Sequence, residues 1–514
     1  MKKVSRKKPV NKGYRIFSII LTILLVLISF FTVFEIYSMN VLTPMLTVMV
    51  IVIFILIDAI LGLLLIFSAK KIVSRILFSI LTVVVTVVFA LGGFYMFQAN
   101  SLLNNITTSE GDIKNTVSLI VLDDSKYEEL KDIAGEKIGT LKSIDTYGTE
   151  QSLDDISSEG VEVENEKYDS VQAEVKALYD GDVEAVVLNE TYRGTVEEME
   201  DYADFSSKTR VLHETVYYTD RVENTAKSVD DITSHAFNIL ISGNDTYGDL
   251  STVSRSDVNM IVTVNPETGV ILLTSIPRDY YVTTECDPAL GCQVGALDKL
   301  THTGVHGIET TQATLENLLG IEINYNFRVN FSSLVDIVDA LGGIDVTVEP
   351  GYAVPNLLHG NGRGVTEGVN HLDGELALAY ARERYAYEEG DRQRVKNQQQ
   401  VIMGIVDKAT SPAILTNFAS LMNALSGAFE TNMSTAEIQQ LIQYQLSSSP
   451  DWKFVQYSLD GTGSTEMCAE LGDAAYVMIP DESTVQTAKD KIEAVVNGDS
   501  VEQVEAITAS SDSE

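Results

Sequence analysis

The chain has 514 residues, with 36 lysines and arginines against 73 aspartates and glutamates, and a net charge of −37 at pH 7. That length leaves room for a membrane part and two or three folded units. So acidic a balance is a poor surface for nucleic acid, whose binding depends on neutralising backbone phosphates, and direct DNA contact is excluded as a function class.

Residues 1–97 read as a cytoplasmic N-terminus and three transmembrane helices, over about 15–37, 41–67 and 76–97. Each stretch has the roughly 20 mostly apolar residues needed to cross a bilayer. Lys2, Lys3, Arg6, Lys7, Lys8, Lys12 and Arg15 precede the first span, and Lys70, Lys71 and Arg75 separate the second from the third. By the positive-inside rule both segments are cytoplasmic, and everything after the third span is extracellular. A cleaved signal peptide is the competing reading of the N-terminus; three successive spans and the lack of a small-residue cleavage site argue against it. Asp58, an isolated acid inside the second span, reads as a helix-contact residue.

Residues 98–112 are polar and read as a stalk. Residues 113–228 form an accessory α/β domain, with a buried-strand run at 117–122, a strand entry at 136–140, and a helix end, glycine turn and strand over 178–188. The alternation predicts a small unit with a parallel sheet. Its phrases resemble a lobe of a periplasmic binding protein, and without a dense catalytic constellation it reads as a spacer or docking module. Residues 229–496 form a larger α/β domain, a mixed sheet flanked by helices. Strands are expected at 236–242, 259–264, 270–275, 344–348 and 452–458, and helices at 307–319, 332–341, 371–381, 392–408, 414–429, 436–446 and 480–496. Residues 497–514 are acidic, serine-rich and free of aromatics, a composition that predicts a disordered tail. Cys286 and Cys292 flank a Pro- and Gly-containing loop and are placed to close a small disulfide in an oxidising compartment, leaving Cys468 unpaired.

Four clusters carry chemistry, each at a strand end or helix start, where loops present side chains. Asp245 follows an apolar strand and Asp257 precedes the next. Two such carboxylates could hold a hard cation such as Mg²⁺ together with phosphate oxygens; turn or cap roles explain them equally well. Arg278 and Asp279 end the strand at 270–275, as a surface pair or as part of a site. The fourth cluster packs Arg382, Arg384, Arg392 and Arg394 into one short segment of an acidic chain. Arg382 and Arg384 close a helix, where their charge complements its dipole. Arg392 and Arg394 follow the N-cap candidate Asp391, and in a first turn cations oppose the dipole unless an anion sits there. Gln398 shares a helical face with Arg394. Guanidinium groups chelate phosphate oxygens in pairs. With the apolar runs at 237–241, 260–264 and 402–406, most of them core, a groove mouthed by arginines would suit a lipid tail bearing a pyrophosphate head.

The segments Gly243-Asn-Asp245, Arg255-Ser-Asp257, Ile276-Pro-Arg-Asp279, Asp298-Lys-Leu300, Leu341-Gly-Gly-Ile-Asp345, Gly368-Val-Asn-His-Leu-Asp-Gly-Glu-Leu-Ala-Leu378, Tyr380-Ala-Arg-Glu-Arg384 and Gly390-Asp-Arg-Gln-Arg-Val-Lys-Asn-Gln398 occur in that order. Together they resemble the LytR-CpsA-Psr family over about 233–410. Three spans and an added domain resemble its capsule-associated CpsA branch. The resemblance implies an extracytoplasmic phosphotransferase that moves a glycopolymer, with capsular polysaccharide the first expectation, from an undecaprenyl-pyrophosphate carrier to peptidoglycan. It implies Mg²⁺, with Mn²⁺ as a substitute, pyrophosphatase activity in vitro, and as partners the lipid bilayer and other capsule-assembly proteins. Carried over by motif, Asp245 and Asp257 bind the metal. Arg278, Arg382, Arg384 and Arg394 clamp the pyrophosphate, Arg255, Lys299, Arg392 and Gln398 assist, and Asp279 is a candidate base. Two departures remove charge: Tyr247 and Asn397 stand where many members have arginine. The alternatives are a membrane regulator that only binds polyprenyl phosphate, and a scaffold for capsule export.

Overall fold

The computed structural model describes residues 12–67, 72–106, 113–219, 224–244, 254–287, 292–411, 421 and 429–508. They divide into two compact units.

The first unit is built on α1 (Lys12–Ser38), α2 (Pro44–Phe67) and α3 (Ile72–Ile106), each with a stretch long and apolar enough to cross a membrane. Large apolar side chains such as Phe30 and Phe67 lie on their outer faces, which is stable only against lipid or another apolar surface. Polar side chains tie the helices inside. Ser29 donates to Asp58 Oδ1 (2.8 Å) between α1 and α2, so Asp58 does make a helix contact. Thr32 donates to the Phe89 carbonyl (2.9 Å) between α1 and α3. A Cβ on Gly93 would come within 2.7 Å of Thr32 Oγ1, the close approach that small residues permit between apolar helices. The expected stalk is a continuation of α3 as far as Ile106, and residues 107–112, like Lys70 and Lys71, lie outside the described residues.

The second unit opens with the accessory lobe: β1 (Ile113–Leu122), β2 (Lys137–Leu141), α4 (Thr146–Ser158), β3 (Glu164–Tyr168), α5 (Val171–Asp180), β4 (Ala185–Asn189), α6 (Arg193–Glu198), α7 (Phe205–Lys208) and β5 (Thr209–Thr219). The sheet order is β3-β2-β4-β1-β5. Strands β2, β3 and β4 are parallel, but β1 runs antiparallel to both β4 and β5, so the expected parallel sheet is mixed. Leu119 and Ile120, adjacent on β1 and fully buried, enter the two apolar cores on opposite faces of the sheet.

The larger domain is a six-stranded mixed sheet of order β14-β11-β6-β7-β8-β15. Its strands are β6 (Phe237–Gly243), β7 (Val258–Asn265), β8 (Val270–Ile276), β11 (Tyr325–Val329), β14 (Phe429–Thr431) and β15 (Lys453–Ser458). Three hairpins lie outside it: β9 (Tyr281–Thr283) with β10 (Leu297–Lys299), β12 (Ile344–Val348) with β13 (Gly368–Leu372), and β16 (Gly461–Cys468) with β17 (Asp473–Pro480). The helices are α8 (Ile308–Leu319), α9 (Phe331–Ala340), α10 (Gly374–Arg382), α11 (Asp391–Thr410), α12 (Thr435–Ser448), α13 (Glu482–Val496) and α14 (Val501–Ala506). Leu240, Ile261, Leu272 and Val455 of the strands pack with Leu315 of α8 and Ile492 of α13, a core that fills one face of the sheet.

Three expectations are corrected. The helix expected at 371–381 starts at Gly374, because Gly368–Leu372 pairs as β13 and Asp373 then caps the helix, accepting from Leu376 N–H at 2.9 Å. The tail expected to be disordered from 497 carries α14, anchored by the fully buried Val504; only 509–514 lie outside the described residues. The span 229–496 is not one compact body, because α12 belongs to the first unit, where Gln443 donates to the Leu42 carbonyl at 2.9 Å. The helix expected at 414–429 lies outside the described residues but for Leu421, which is helical, and Phe429, which starts β14. Cys286 and Cys292 form a disulfide, and Cys468 is a buried free thiol.

Candidate active site

The face of the sheet opposite that core is not filled. A cavity of about 450 Å³ lies there, floored by Ile241 and Met260 of the strands and walled by Leu334 of α9, Leu378 of α10 and Val401 and Ile402 of α11. Its apolar body ends in charge: Asp257, Arg278, Arg382, Arg384 and Arg394 all reach its lining, beside His359, Asn330, Phe331 and Gln398. An apolar pocket with a few convergent polar groups is the usual form of a ligand site.

Local structure explains how the charges arrive. Asn330 caps α9, accepting from Ser333 N–H at 2.9 Å, and this places Phe331 at the first position of the helix. The Arg382 guanidinium, at the end of α10, stacks over that ring with its carbon 4.2 Å from the centroid. Arg384, just beyond the helix, lies over Tyr385 and donates to its hydroxyl at 2.6 Å. Arg394 comes from the first turn of α11. Its Nη2 is 2.6 Å from Asp391 Oδ1, and its buried Nε has no hydrogen-bond partner among the described residues.

Asp257 is the one carboxylate in the cavity's described lining. Arg278 Nη1 donates to its Oδ1 at 2.7 Å and the Thr301 hydroxyl at 2.8 Å, while Arg255 Nη2 stands 3.9 Å from Oδ2. Burial by itself would push this carboxyl up; Arg278, then Arg255, Thr301 and Arg394 outweigh it and hold the group down at about 2, so it stays ionised. Partial burial, then the neighbouring Arg382, push His359 below the ordinary histidine range, opposed by Glu383. The described side chains of the lining thus bring four guanidiniums against one carboxylate within a chain of net charge −37.

The sequence-read residues separate into those at the cavity and those behind it. Arg278, Arg382, Arg384, Arg394, Gln398 and Asp257 line it. Arg255 is buried behind Asp257. Lys299, also buried, stands 3.4 Å from Asp279 Oδ1, and Arg278 Nε is 3.8 Å from the same oxygen. Asp279 is therefore bracketed by two cations and does not line the cavity. Arg392 turns the other way, donating to Asp460 from Nε (3.1 Å) and Nη2 (2.6 Å) with its side chain 63% exposed. Asn397 is fully buried, donating to the Tyr380 carbonyl at 3.1 Å, and so takes no place in the lining. Asp245 and Tyr247 lie outside the described residues. Sequence reasoning passed over Thr301, Phe331 and His359. Thr301 directly follows the Asp298-Lys-Leu300 motif, a signal that was available; Phe331 and His359 sit in unremarkable local patterns.

A family model described as the LytR_cpsA_psr family matches residues 202–494, a span that takes in every residue placed at this cavity. The polyisoprenyl-teichoic acid–peptidoglycan teichoic acid transferase TagU of Enterococcus faecalis (strain ATCC 700802 / V583) is 34% identical over 267 residues, covering 51% of this chain and 80% of that protein. The protein of the same name in Bacillus cereus (strain AH820) is 32% identical over 234 residues, covering 45% of this chain and 72% of that protein. Among solved structures, protein gbs0355 from Streptococcus agalactiae is 27% identical with a TM-score of 0.44, covering 51% of this chain and 88% of that one. With the ordered motifs, the cavity and the family match in agreement, this chain belongs to the LytR_cpsA_psr family.

Proposed function

We propose that the protein is a membrane-anchored extracellular phosphotransferase that moves a glycopolymer from an undecaprenyl-pyrophosphate carrier onto peptidoglycan. The carrying observation is the cavity itself, an apolar chamber whose described lining sets Arg278, Arg382, Arg384 and Arg394 against the Asp257 carboxylate. An apolar chain fits the floor of Ile241 and Met260, and a pyrophosphate fits the guanidiniums. The transferase names borne by the relatives support the reaction class. Capsular polysaccharide is the polymer we propose, on the three spans and the accessory lobe that resemble the capsule-associated branch. The basic residues before α1 and between α2 and α3 orient the N-terminus to the cytoplasm and the second unit outward.

The chemistry follows from charge placement. An acceptor hydroxyl gives up its proton to solvent and attacks the sugar-linked phosphorus, the phosphorus–oxygen bond to the prenyl phosphate breaks, and the electron pair leaves on that phosphate. Arg278, Arg382 and Arg394 hold the pyrophosphate oxygens where negative charge gathers, the dominant contribution in phosphoryl transfer. Asp279, bracketed by Lys299 and Arg278, acts as their counter-ion. Asp257 fits a hard-cation ligand: it stays ionised, and Arg255 stands beyond hydrogen-bond reach of its Oδ2. With Asp245 it would hold Mg²⁺, or Mn²⁺ in its place, which when bound supplies further charge neutralisation at the phosphates.

The test is transfer of a labelled oligosaccharide from undecaprenyl pyrophosphate to peptidoglycan fragments by the full-length protein in detergent micelles with Mg²⁺. Arg278→Ala should slow it about 100-fold, the scale of losing one preorganised charge donor. A wild-type protein that binds the lipid tightly yet transfers nothing would leave a binding regulator as the answer.

A further inference from the structure

Among the described residues, the accessory lobe meets the catalytic cluster at the segment Tyr192–Gly194. The parallel strands β2, β3 and β4 end at Leu141, Tyr168 and Asn189, the carboxyl edge where open α/β sheets hold ligands. Here that edge grips the chain's own β16–β17 connection. Val171 N–H donates to the Leu471 carbonyl at 3.2 Å, and a Cβ on Gly472 would come within 2.5 Å of the Asp169 carbonyl. The Tyr192 hydroxyl donates to Glu470 Oε1, whose other oxygen is 2.8 Å from His306 Nε2. Glu470 N–H in turn donates to Asp298 Oδ2 at 2.6 Å, and Asp298 Oδ1 takes the Lys299 N–H and His302 Nδ1, each at 2.6 Å. Lys299 is the cation paired with Asp279. Two residues past Tyr192, a Cβ on Gly194 would stand 2.9 Å from Arg255 Nη2, so α6 lies directly against the guanidinium beside Asp257.

We propose that the lobe segment Tyr192–Gly194 is a positioning element of the active site, with Gly194 seating Arg255 and Tyr192 seating Lys299 through Glu470 and Asp298. This rests on the phosphotransferase reading above. Arg255, 4% exposed, has little room to retreat from an added methyl group, so the lobe backbone fixes where its charge lies. The lobe thereby has a role that a spacer would not have.

The test uses full-length protein in micelles and reads kcat and KM for transfer. Gly194→Ala should lower kcat about tenfold, as expected for a misplaced charge beside Asp257, and raise KM for the lipid donor as the pyrophosphate is held less tightly. In an Arg255→Lys background the same change should cost nothing further, because the wide guanidinium it displaces is gone. Tyr192→Phe, which keeps the buried ring, should lower kcat about threefold with the small drop in unfolding midpoint that one lost hydrogen bond brings. An unchanged kcat in Gly194→Ala, or the same factor lost in both backgrounds, overturns the proposal. If the wild type transfers nothing, the phosphotransferase reading fails, and the positioning claim is judged on calorimetric binding of inorganic pyrophosphate with Mg²⁺. Gly194→Ala must then weaken binding in the native background and leave it unchanged beside Arg255→Lys; equal affinity in the native background sinks it.

Discussion

Arg394 enters the cavity from the first turn of a helix, where a cation opposes the dipole. Asp391, one turn earlier, answers part of that conflict, but the buried Nε still lacks a partner among the described residues. A residue kept for folding would not be left this way, since an unmade buried hydrogen bond costs on the order of 1–3 kcal/mol. Arg394→Ala should therefore leave the unfolding midpoint unchanged or raise it, while transfer falls about 100-fold. A clear loss of stability with activity retained would make Arg394 a structural residue. Phe331 is subtler, because its ring supports the Arg382 guanidinium at 4.2 Å. Phe331→Leu keeps an apolar wall and removes the π face, a change worth about 1 kcal/mol. Calorimetry should show pyrophosphate binding weakened about fivefold, and unchanged affinity would reduce the ring to packing.

At the scale of elements, what was legible depended on whether function and local pattern coincide. Strands β6, β7 and β8 are apolar runs between turn residues, and α11 is announced by Gly390-Asp391, so both could be placed from sequence. Which arginine of α11 faces the cavity could not: Arg392 and Arg394 are about 200° apart around the helix, and only packing decides that Arg392 meets Asp460. The β16–β17 hairpin escaped notice because β16 carries Met467 as its lone large apolar residue and each strand buries a single residue. Thr301, Phe331 and His359 meet the arginines through tertiary structure alone, each from an element with an ordinary pattern. The lobe carries its own titration signal at Asp145, the cap of α4. Burial raises this carboxyl to about 6; bonds from Asn189 and Gly148 oppose the shift, Glu470 adds to it, and His306 opposes it. An acid with a folded pKa above its unfolded value near 3.9 binds more protons when folded, so stability falls as pH rises from about 4 to about 6 and stays lower above. Melting should accordingly come at higher temperature at pH 5 than at pH 7.5. Asp145→Asn, which can still cap the helix, should narrow that difference and gain about 2 kcal/mol at pH 7.5, a figure trimmed for the residue's partial exposure, while the buried Glu174, also shifted up, keeps the remainder. A variant with the wild-type pH profile would remove Asp145 as its source.

For the molecule as a whole, the proposed chemistry requires one orientation, and the cysteines make it measurable. Cys286 and Cys292 are joined and Cys468 is fully buried, so the native chain should be silent to a membrane-impermeant maleimide. Single reporters can then be placed where the described backbone is exposed: Asn40→Cys between α1 and α2, and Glu505→Cys on α14. Val4→Cys adds a probe among the basic residues ahead of α1. With those basic residues and the α2–α3 connection held in the cytoplasm, Asn40→Cys and Glu505→Cys should label in intact cells, and Val4→Cys after permeabilisation alone. An odd number of spans forces positions 4 and 505 to opposite sides, so the three reporters have only two consistent outcomes. The reverse outcome would put the arginine-mouthed cavity in the cytoplasm, where peptidoglycan is absent, and no adjustment of site residues could rescue the transferase reading from that result.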